Sequence, residues 1–418
     1  ARGQAPQLLM GASDYAFRQA PQQVFQTDAY YEDVDAALLD YNGDGHQDLY
    51  VVSGGNDKNQ LDKALQDRIY INDGKGNFKR LPVSLPHMNG TTISIADYNK
   101  DGFDDMFVGT LNVPGAYGVA PVSFILENQQ GHGVRIAHRS KLGMITDASW
   151  LDIDSDGVEE LLVTGEWMGL RVLDYDGDSS FVASDLDLFS IPIGQYRDIE
   201  IADLNDDGMP DYSFSNLGIN TQWRQGPVSL YLGDFDDNDF IDPIIFENYG
   251  GADIPYAAKS DLERQVPSIR KKHSGYHSFS QVSDLEQLTN NKSALKKEYH
   301  LSELATYTML SGPEAYEQIK LPDLAQLSPT NQTLWLEHIL GGSLLVCSHD
   351  QHASHLMGTS EGFPAILFSG YDDNTKTFEK QYPVNLPVGT SVKKAIEYDE
   401  DTIILATHNG PLYMLRFE

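Results

Sequence analysis

The chain is poor in three features that each mark a class of proteins. Its 418 residues include one cysteine, Cys347, so no disulfide can form within the chain. Lysine and arginine number 29 against 62 aspartates and glutamates, which gives a formal net charge of −33. No apolar run reaches the length that a membrane-spanning helix needs. These shortages argue against a disulfide-stapled scaffold, a nucleic-acid partner, an anionic membrane surface and a membrane span.

What the chain has in excess is aspartate, concentrated in a nine-residue loop that occurs four times and once more in degraded form. The five copies begin at Asp40, Asp97, Asp152, Asp203 and Asp234, at intervals of 57, 55, 51 and 31 residues. Oxygen-bearing side chains at loop positions 1, 3, 5 and 9 suit a seven-coordinate Ca²⁺, and the carbonyl of position 7 can complete the shell. A single such loop is often a solvated turn, but repetition favours metal binding.

The sequence therefore predicts four calcium sites and a fifth in the degraded copy. The predicted ligands, loop by loop, are Asp40, Asn42, Asp44, His46 and Asp48; Asp97, Asn99, Asp101, Phe103 and Asp105; Asp152, Asp154, Asp156, Val158 and Glu160; Asp203, Asn205, Asp207, Met209 and Asp211; and Asp234, Asp236, Asn238, Phe240 and Asp242. Position 6 is glycine in four copies, where it permits a positive φ. The fifth copy has Asp239 there, and aspartate tolerates left-handed backbone better than most residues.

Short apolar, β-branched and aromatic runs lie on both sides of each loop, so the loop joins two antiparallel strands. This differs from an EF-hand, in which helices flank a twelve-residue loop. Two more strands follow in each unit, as at 68–71 and 78–81. Repeated four-stranded units of this length are typical of a β-propeller. We predict an all-β fold, a seven-bladed propeller over residues 1–418 with six blades as the alternative.

Several phrases of the sequence resemble a known family, namely Glu32–Val34, Asp67–Phe78, Gly143–Ala148, Gly165–Trp167, Asn216–Asn220, Gly233–Asp236 and Leu321–Gln326. They resemble the FG-GAP/VCBS repeat of integrin α-subunit propellers, and more so exported bacterial VCBS-repeat proteins that often carry an ASPIC/UnbV segment. The resemblance runs over most of residues 30–330. It implies a calcium-binding propeller on an exported protein, and it leaves the biochemical role undefined.

The chain departs from a regular repeat at three places. The last hundred residues contain strand-like runs without an aspartate-rich loop, and we expect two metal-free blades there. Residues 1–28 begin inside a repeat, so we expect them to complete the last blade, unless the chain is one piece of a longer precursor. Loop five follows loop four by only 31 residues, so units four and five are expected to be abbreviated or to share one blade.

Residues 255–311 change in composition, and we predict a helical insertion there. Helix formers with apolar residues three or four apart occur at 260–266, 267–273, 282–288 and 295–310. Positive charge concentrates in this segment, notably at Arg270, Lys271 and Lys272. Either these cations pair with the acidic rim of the propeller, or they form a docking surface for an acidic glycan or another subunit.

Two further groups of residues are candidates for a site. His349, His352 and His355 lie close to Asp350 and could hold Zn²⁺ or Cu²⁺, although a polar loop is the simpler interpretation. Trp167 and Trp223 lie at strand ends near glycines, which suits a binding face, whereas Trp150 and Trp335 lie within strand runs and suit a core.

No catalytic residue is predicted. The prominent carboxylates are accounted for by calcium, and the chain has neither a nucleophile elbow nor a phosphate-cradling glycine loop.

The sequence therefore favours a non-catalytic, calcium-stabilised module that recognises a glycan or protein partner. The alternatives are a polysaccharide lyase or hydrolase acting in the central depression, and a structural subunit of a larger surface assembly. Five bound Ca²⁺ would still leave a charge of about −23, so the surface would stay acidic. Because weak calcium sites suit the calcium-rich exterior of cells, we expect an exported protein, whether extracellular, cell-surface or periplasmic.

Overall fold

Strands dominate the fold, and all the helices that the structure describes are short. The computed structural model describes residues 4–12, 16–56, 62–175, 181–184, 189–289, 291–312, 315–348, 360 and 362–417, without the side chains of residues 224, 225 and 292. The chain divides into two compact units, the first of residues 1–164 and 170–187, the second of residues 165–169 and 188–418. The predicted all-β class is confirmed. Within the described ranges, no helix has the length and apolar character needed to cross a membrane.

The first unit contains a small two-stranded sheet, one helix and three four-stranded antiparallel sheets. The small sheet pairs β1 (Leu9–Gly11) with β2 (Phe17–Gln19), and α1 (Gln23–Thr27) follows. The three larger sheets consist of β3 (Asp33–Leu39), β4 (Asp48–Ser53), β5 (Arg68–Asn72) and β6 (Phe78–Arg80); β7 (Gly90–Ala96), β8 (Asp105–Thr110), β9 (Ser123–Asn128) and β10 (Val134–Ser140); and β11 (Met144–Leu151), β12 (Glu160–Met168), β13 (Arg171–Tyr175) and β14 (Phe181–Ala183). In each, the strands lie in chain order. Residues 165–168 of β12 belong to the second unit.

The second unit contains the remaining elements. Its strands are β15 (Gly194–Gln195), β16 (Asp198–Ala202), β17 (Asp211–Ser215), β18 (Val228–Gly233), β19 (Asp242–Tyr249), β20 (Ala252–Pro255), β21 (Leu295–Leu301), β22 (Tyr307–Leu310), β23 (Glu317–Lys320), β24 (Thr330–Leu336), β25 (Ser343–Ser348), β26 (Ala365–Asp372), β27 (Thr377–Pro383), β28 (Val392–Asp399), β29 (Thr402–Thr407) and β30 (Tyr413–Arg416). Its helices are α2 (Lys259–Gln265), α3 (Ser268–Lys272), α4 (Tyr276–Phe279) and α5 (Leu285–Thr289). Short 3₁₀ turns occur at Lys63–Leu65 in the first unit, and at Gln222–Gln225, Lys292–Ala294, Asp323–Gln326 and Ile339–Gly341 in the second.

One sheet of the second unit is interrupted by another. β17 pairs with β22, so the order of the interrupted sheet is β16-β17-β22-β23. Between β17 and β22 the chain forms a separate sheet of order β20-β19-β18-β21, which we call the inserted sheet. Loop four therefore lies on the interrupted sheet and loop five on the inserted sheet. The expectation that units four and five are abbreviated or share one blade is wrong, because unit four is complete but discontinuous in sequence.

The helical insertion is shorter than predicted. Helices α2 to α5 pack on one face of the inserted sheet, where Leu262, Val266 and Ile269 contact Ile244 and Phe246. The predicted helix at 295–310 is wrong, since this segment forms β21 and β22. Leu295, Tyr299 and Leu301 fit both a helical and a strand period, and pairing with β18 and β17 selects the strand.

Burial within each sheet explains the sequence pattern. The second strands β4, β8, β25 and β29 have neighbours on both edges and are almost wholly buried, so their residues are apolar or small. Outer strands such as β10 and β27 alternate or are largely exposed.

Side chains on the first strand of one sheet bind the backbone of the first strand of the next. In the first unit, Asp35 Oδ2 accepts the N–H of Ile93 at 3.1 Å, and Thr91 Oγ1 donates to the carbonyl of Ile145 at 2.7 Å. In the second unit, Gln332 Oε1 accepts the N–H of Ala395 at 2.6 Å. These contacts order the sheets as β3, β7, β11 in one unit and β16, β24, β28 in the other. The inserted sheet is not a member of the second series.

Propeller closure and blade number stay predictions. The described residues form seven sheets of three or more strands, one of which is the inserted sheet. The runs predicted as strands in the last hundred residues are strands, in the four-stranded sheet β24–β27 and the three-stranded sheet β28–β30. β1 and β2 pair with each other, and the role of residues 1–28 in completing the last blade stays a prediction, as does the single domain over 1–418.

Candidate functional site

Each of the five loops joins two consecutive antiparallel strands, as predicted. In each case these are the first two strands of a sheet in chain order, and for loop five the sheet is the inserted one. Loops one to five connect β3 to β4, β7 to β8, β11 to β12, β16 to β17 and β18 to β19. In every loop, position 9 is the first residue of the second strand. The nine-residue spacing therefore places the last carboxylate at the mouth of the sheet, directly beneath the turn.

The loops share one hydrogen-bonded conformation. The position 1 carboxylate accepts the N–H of position 6 in all five, at 2.8–2.9 Å; the first case is Asp40 with Gly45. The side-chain oxygen of position 5 accepts the N–H of position 7 in all five, at 2.7–3.0 Å. The same short side chains that repel one another as anions are thus fixed by the backbone of their own loop.

Two positions of each loop have left-handed backbone. Position 6 has φ between 67° and 89°, and Asp239 adopts it without being glycine, as predicted. Position 4 also has positive φ in every loop, between 56° and 71°; its residues are Gly43, Lys100, Ser155, Asp206 and Asp237. The left-handed backbone at position 4 was not predicted, because only one of its five residues is glycine.

The position 9 carboxylates are buried at the base of the loops; they belong to Asp48, Asp105, Glu160, Asp211 and Asp242. The N–H of Asn128, at the end of the third strand, donates to Asp105 Oδ1 at 2.7 Å. Asn72 and Ser311 donate in the same way to Asp48 and Asp211. This anchoring was not predicted, since the donor is a backbone group some twenty to a hundred residues away.

Burial raises the pKa of these carboxylates. Burial raises the pKa of Asp105 to about 8. The hydrogen bond from the N–H of Asn128 opposes this rise, and the negative charges of Asp101, Glu127 and Asp97 add to it. Burial likewise raises the pKa of Asp242 to about 6. A bound cation would reverse this effect, since its positive charge stabilises the anions.

The residues of the loops fit a hard cation. Carboxylate oxygens of Asp152, Asp154 and Asp156 lie within 4.8 Å of one another, as do those of Asp234, Asp236 and Asp242. The other three loops have asparagine at position 3, which supplies a neutral oxygen. Four buried carboxylate oxygens of the loops have no hydrogen-bond partner among the described residues: Asp48 Oδ2, Asp105 Oδ2, Asp152 Oδ1 and Asp236 Oδ1. Buried acceptors without donors are rare, and a cation would satisfy them.

The tryptophans differ in burial from what their positions in the sequence indicate, and a binding role of Trp167 and Trp223 stays a prediction. Trp167 and Trp223, predicted on a binding face, are buried at 1% and 5% exposure. Trp150 and Trp335, predicted in the core, are half-buried. The position of a residue at a strand end does not reveal whether its side chain is covered by distant parts of the chain. Here the ring of Trp167 packs on that of Trp223, with ring centroids 5.9 Å apart.

The basic residues of the helical insertion lie on α3. Arg270 and Lys271 are exposed, whereas Lys272 is half-buried and donates to the carbonyl of Glu286 at 2.6 Å. Burial lowers the pKa of Lys272. Two other cations pair within α2, Lys259 with Glu263 and Arg264 with Asp261. His349, His352 and His355 lie outside the described residues.

The sequence of the chain matches the model of the FG-GAP-like repeat over residues 40–108 and 152–214. The two matched segments contain loops one and two, and three and four, so the resemblance stated from the sequence is confirmed there. Loop five and the inserted sheet lie outside both segments. No curated protein sequence matches the chain.

Solved structures resemble the chain at low identity. Sqt1 of Saccharomyces cerevisiae has 10% identity and a TM-score of 0.39, covering 89% of this chain and 71% of its own. An Agrocybe aegerita lectin that recognises non-reducing terminal N-acetylglucosamine has 13% identity and a TM-score of 0.45, covering 98% and 87%. YCF48 of Cyanidioschyzon merolae has 10% identity and a TM-score of 0.36, covering 92% and 95%. At these TM-scores the likeness carries no inference about ligands.

Proposed function

We propose that this chain is a non-catalytic, calcium-stabilised propeller module of an exported or cell-surface protein, which recognises a glycan or protein partner. The calcium proposal rests on buried carboxylate oxygens that have no donor among the described residues; they belong to Asp48, Asp105, Asp152 and Asp236, in four loops of the same conformation. A protein has little reason to bury such atoms unless a cation compensates them.

Calcium would supply the positive charge that five groups of neighbouring carboxylates lack. Positions 1, 3, 5 and 9 and the carbonyl of position 7 would hold it, as predicted from the sequence. The position 9 side chain begins the second strand and also binds the end of the third, as Asp105 does with Asn128. Calcium at this place would therefore fix three strands of a sheet relative to one another. We propose a structural role for the metal and a recognition role for the surfaces that it stiffens.

The proposed location follows from the metal. Calcium is abundant outside cells, where weak sites are filled. The net charge of −33 suits an exported protein with a partner that is not polyanionic.

Native mass spectrometry and thermal unfolding test the calcium. We expect the protein to take up four or five Ca²⁺, and chelation with EGTA to lower its melting temperature. Asp101→Ala should remove one ion and lower the melting temperature, because Asp101 is a predicted ligand. Asp373→Ala is the matched control, since this exposed aspartate lies in the turn between β26 and β27. A melting curve unmoved by EGTA would overturn the structural role of calcium.

A further inference from the structure

The second unit contains a cavity of about 530 Å³ that no predicted function uses. It lies between the 3₁₀ turn Gln222–Gln225 and the residues that follow β21. Its apolar walls include Ile219, Pro227, Val228, Leu301 and Leu304, and its polar lining comes from His300, Ser302 and Glu303. Trp223 also lines it. Apolar walls with few polar groups are typical of small-molecule sites.

Trp223 brings an unsatisfied donor to this cavity. Its side chain is 5% exposed, and its indole Nε1 has no hydrogen-bond partner in the described part of the chain. The ring cannot easily turn to find one, because Trp167 packs on it at 5.9 Å and Tyr256 meets it edge-on at 5.5 Å. A buried N–H without an acceptor is costly, and a ligand in the cavity would supply one.

Trp167 supports the ring of Trp223 from a strained backbone. Its φ is +55°, which is an outlier for a bulky residue, and the pairing of β12 with β15 is irregular between Glu166 and Met168. Such strain persists where surrounding structure holds a functional group in place. Here it holds the ring of Trp167 against the ring of Trp223, at an angle of 53°, and Trp223 lines the cavity.

The charges around the cavity restrict the ligand. The Glu303 carboxylate lines the cavity and accepts the N–H groups of Leu304 and Ala305 at 2.8 Å, and Gln318 Nε2 at 3.1 Å. His300 pairs with Glu298 at 3.1 Å and contacts Ser229 Oγ at 3.0 Å. None of the lining residues that the structure describes is a lysine or an arginine. An anionic ligand would be repelled, and an ammonium group would offer no acceptor to Trp223.

We propose that this cavity binds one or two units of a neutral sugar, with a ring or hydroxyl oxygen accepting the N–H of Trp223. A sugar offers acceptor oxygens together with apolar C–H faces that suit Ile219 and Leu301. The proposal deepens the recognition role proposed above by naming its site and ligand class, and it does not depend on calcium.

Fluorine NMR tests it directly, because the chain has only four tryptophans. The calcium-saturated protein is labelled with 5-fluorotryptophan, and its four signals are assigned by Trp→Phe variants. It is then titrated with glucose, galactose, mannose and N-acetylglucosamine. We expect at least one sugar to shift the signal of Trp223 in a saturable way and to leave that of Trp150 unmoved. Trp150 is the matched control, since its Nε1 is also buried without a partner among the described residues, and it lies in the first unit.

Two variants complete the test. Trp223→Phe keeps the aromatic ring and loses the N–H, so sugar affinity should fall at least tenfold. Ile219→Arg places a charged side chain at a residue that is 40% exposed, so the fold should tolerate it while the cavity is blocked. Signals that stay fixed with all four sugars, as expected for a cavity that holds water only, would overturn the proposal. Sugar binding that both variants leave intact would overturn this site and leave the recognition function standing.

Discussion

The carboxylate of Asp104 accepts the backbone N–H of Asp40 at 3.1 Å, which joins loop two to loop one. Asp104 is position 8 of loop two and not a predicted ligand, while Asp40 is position 1 of loop one. Lys100, at position 4 of loop two, donates in turn to the carbonyl of Gly157 in loop three. The three loops of the first unit are therefore connected by side chains outside the predicted ligand set.

This contact predicts that Asp104 stabilises loop one without binding its metal. Asp104→Ala removes both the charge and the acceptor, whereas Asp104→Asn removes the charge and keeps an acceptor oxygen. We expect the alanine variant to be less stable than the asparagine variant by about 1 kcal/mol, the usual net value of such a hydrogen bond. Urea unfolding in saturating calcium measures the difference. Equal stabilities would show that the contact contributes nothing.

Gly43 and Gly45 separate backbone strain from contact between loops. Both have positive φ, at 71° and 81°, so alanine at either should cost about 1 kcal/mol in the free energy of unfolding. A Cβ at Gly43 would also lie 3.1 Å from the Phe103 ring of loop two, whereas one at Gly45 would meet nothing within 4 Å. We therefore expect Gly43→Ala to be the more destabilising in urea unfolding. Adding Phe103→Leu should reduce the cost of Gly43→Ala and leave that of Gly45→Ala unchanged.

Asp105→Asn should have effects of opposite sign with and without calcium. The asparagine can still accept the N–H of Asn128. In EGTA the substitution removes a buried charge that faces Asp101, Glu127 and Asp97, so the melting temperature should rise. In saturating calcium it removes an anionic ligand, so the melting temperature should fall. A change of the same sign under both conditions would contradict the assignment of Asp105 as a ligand.

The loops could be predicted because their information is local. All the predicted ligands of one site come from nine consecutive residues, and so do the hydrogen bonds from positions 1 and 5 that shape the turn. The strand pairing that creates the interrupted sheet is not local, since β17 pairs with β22 across the whole inserted sheet. No pattern within β17 indicates that its next neighbour lies some ninety residues further on.

The secondary structure of Leu295–Leu301 and the burial of Trp223 both differ from expectation, and for the same reason. Leu295–Leu301 carries apolar residues that suit a helix or a strand, and only β18 beside it decides. Trp223 was predicted on a binding face because it lies near a strand end and a glycine; the burial of its ring comes from Trp167 and Tyr256, which are distant in sequence. The five loops could be predicted from sequence spacing. The cavity beside Trp223 could not, because it is formed by segments that meet only in the folded chain.

We expect the free energy of unfolding to fall as the pH rises from about 4 to about 7, because Asp67 loses its proton in this range. Burial raises its pKa from 3.8 to about 7, although Ser53 N–H and Tyr50 Oη donate to it at 2.8 and 2.9 Å. Between these two pKa values the folded state binds a proton that the unfolded state has lost. The contribution of Asp67 to the free energy of unfolding is therefore complete below about pH 4 and is lost as the pH rises through about 7. Its upper limit is about 4 kcal/mol. Urea unfolding across this range in saturating calcium should show a decline in the parent that is smaller in Asp67→Asn. Tyr50→Phe removes a donor to the anion and should move the end of the decline to higher pH; identical pH profiles in the parent and Asp67→Asn would refute the assignment.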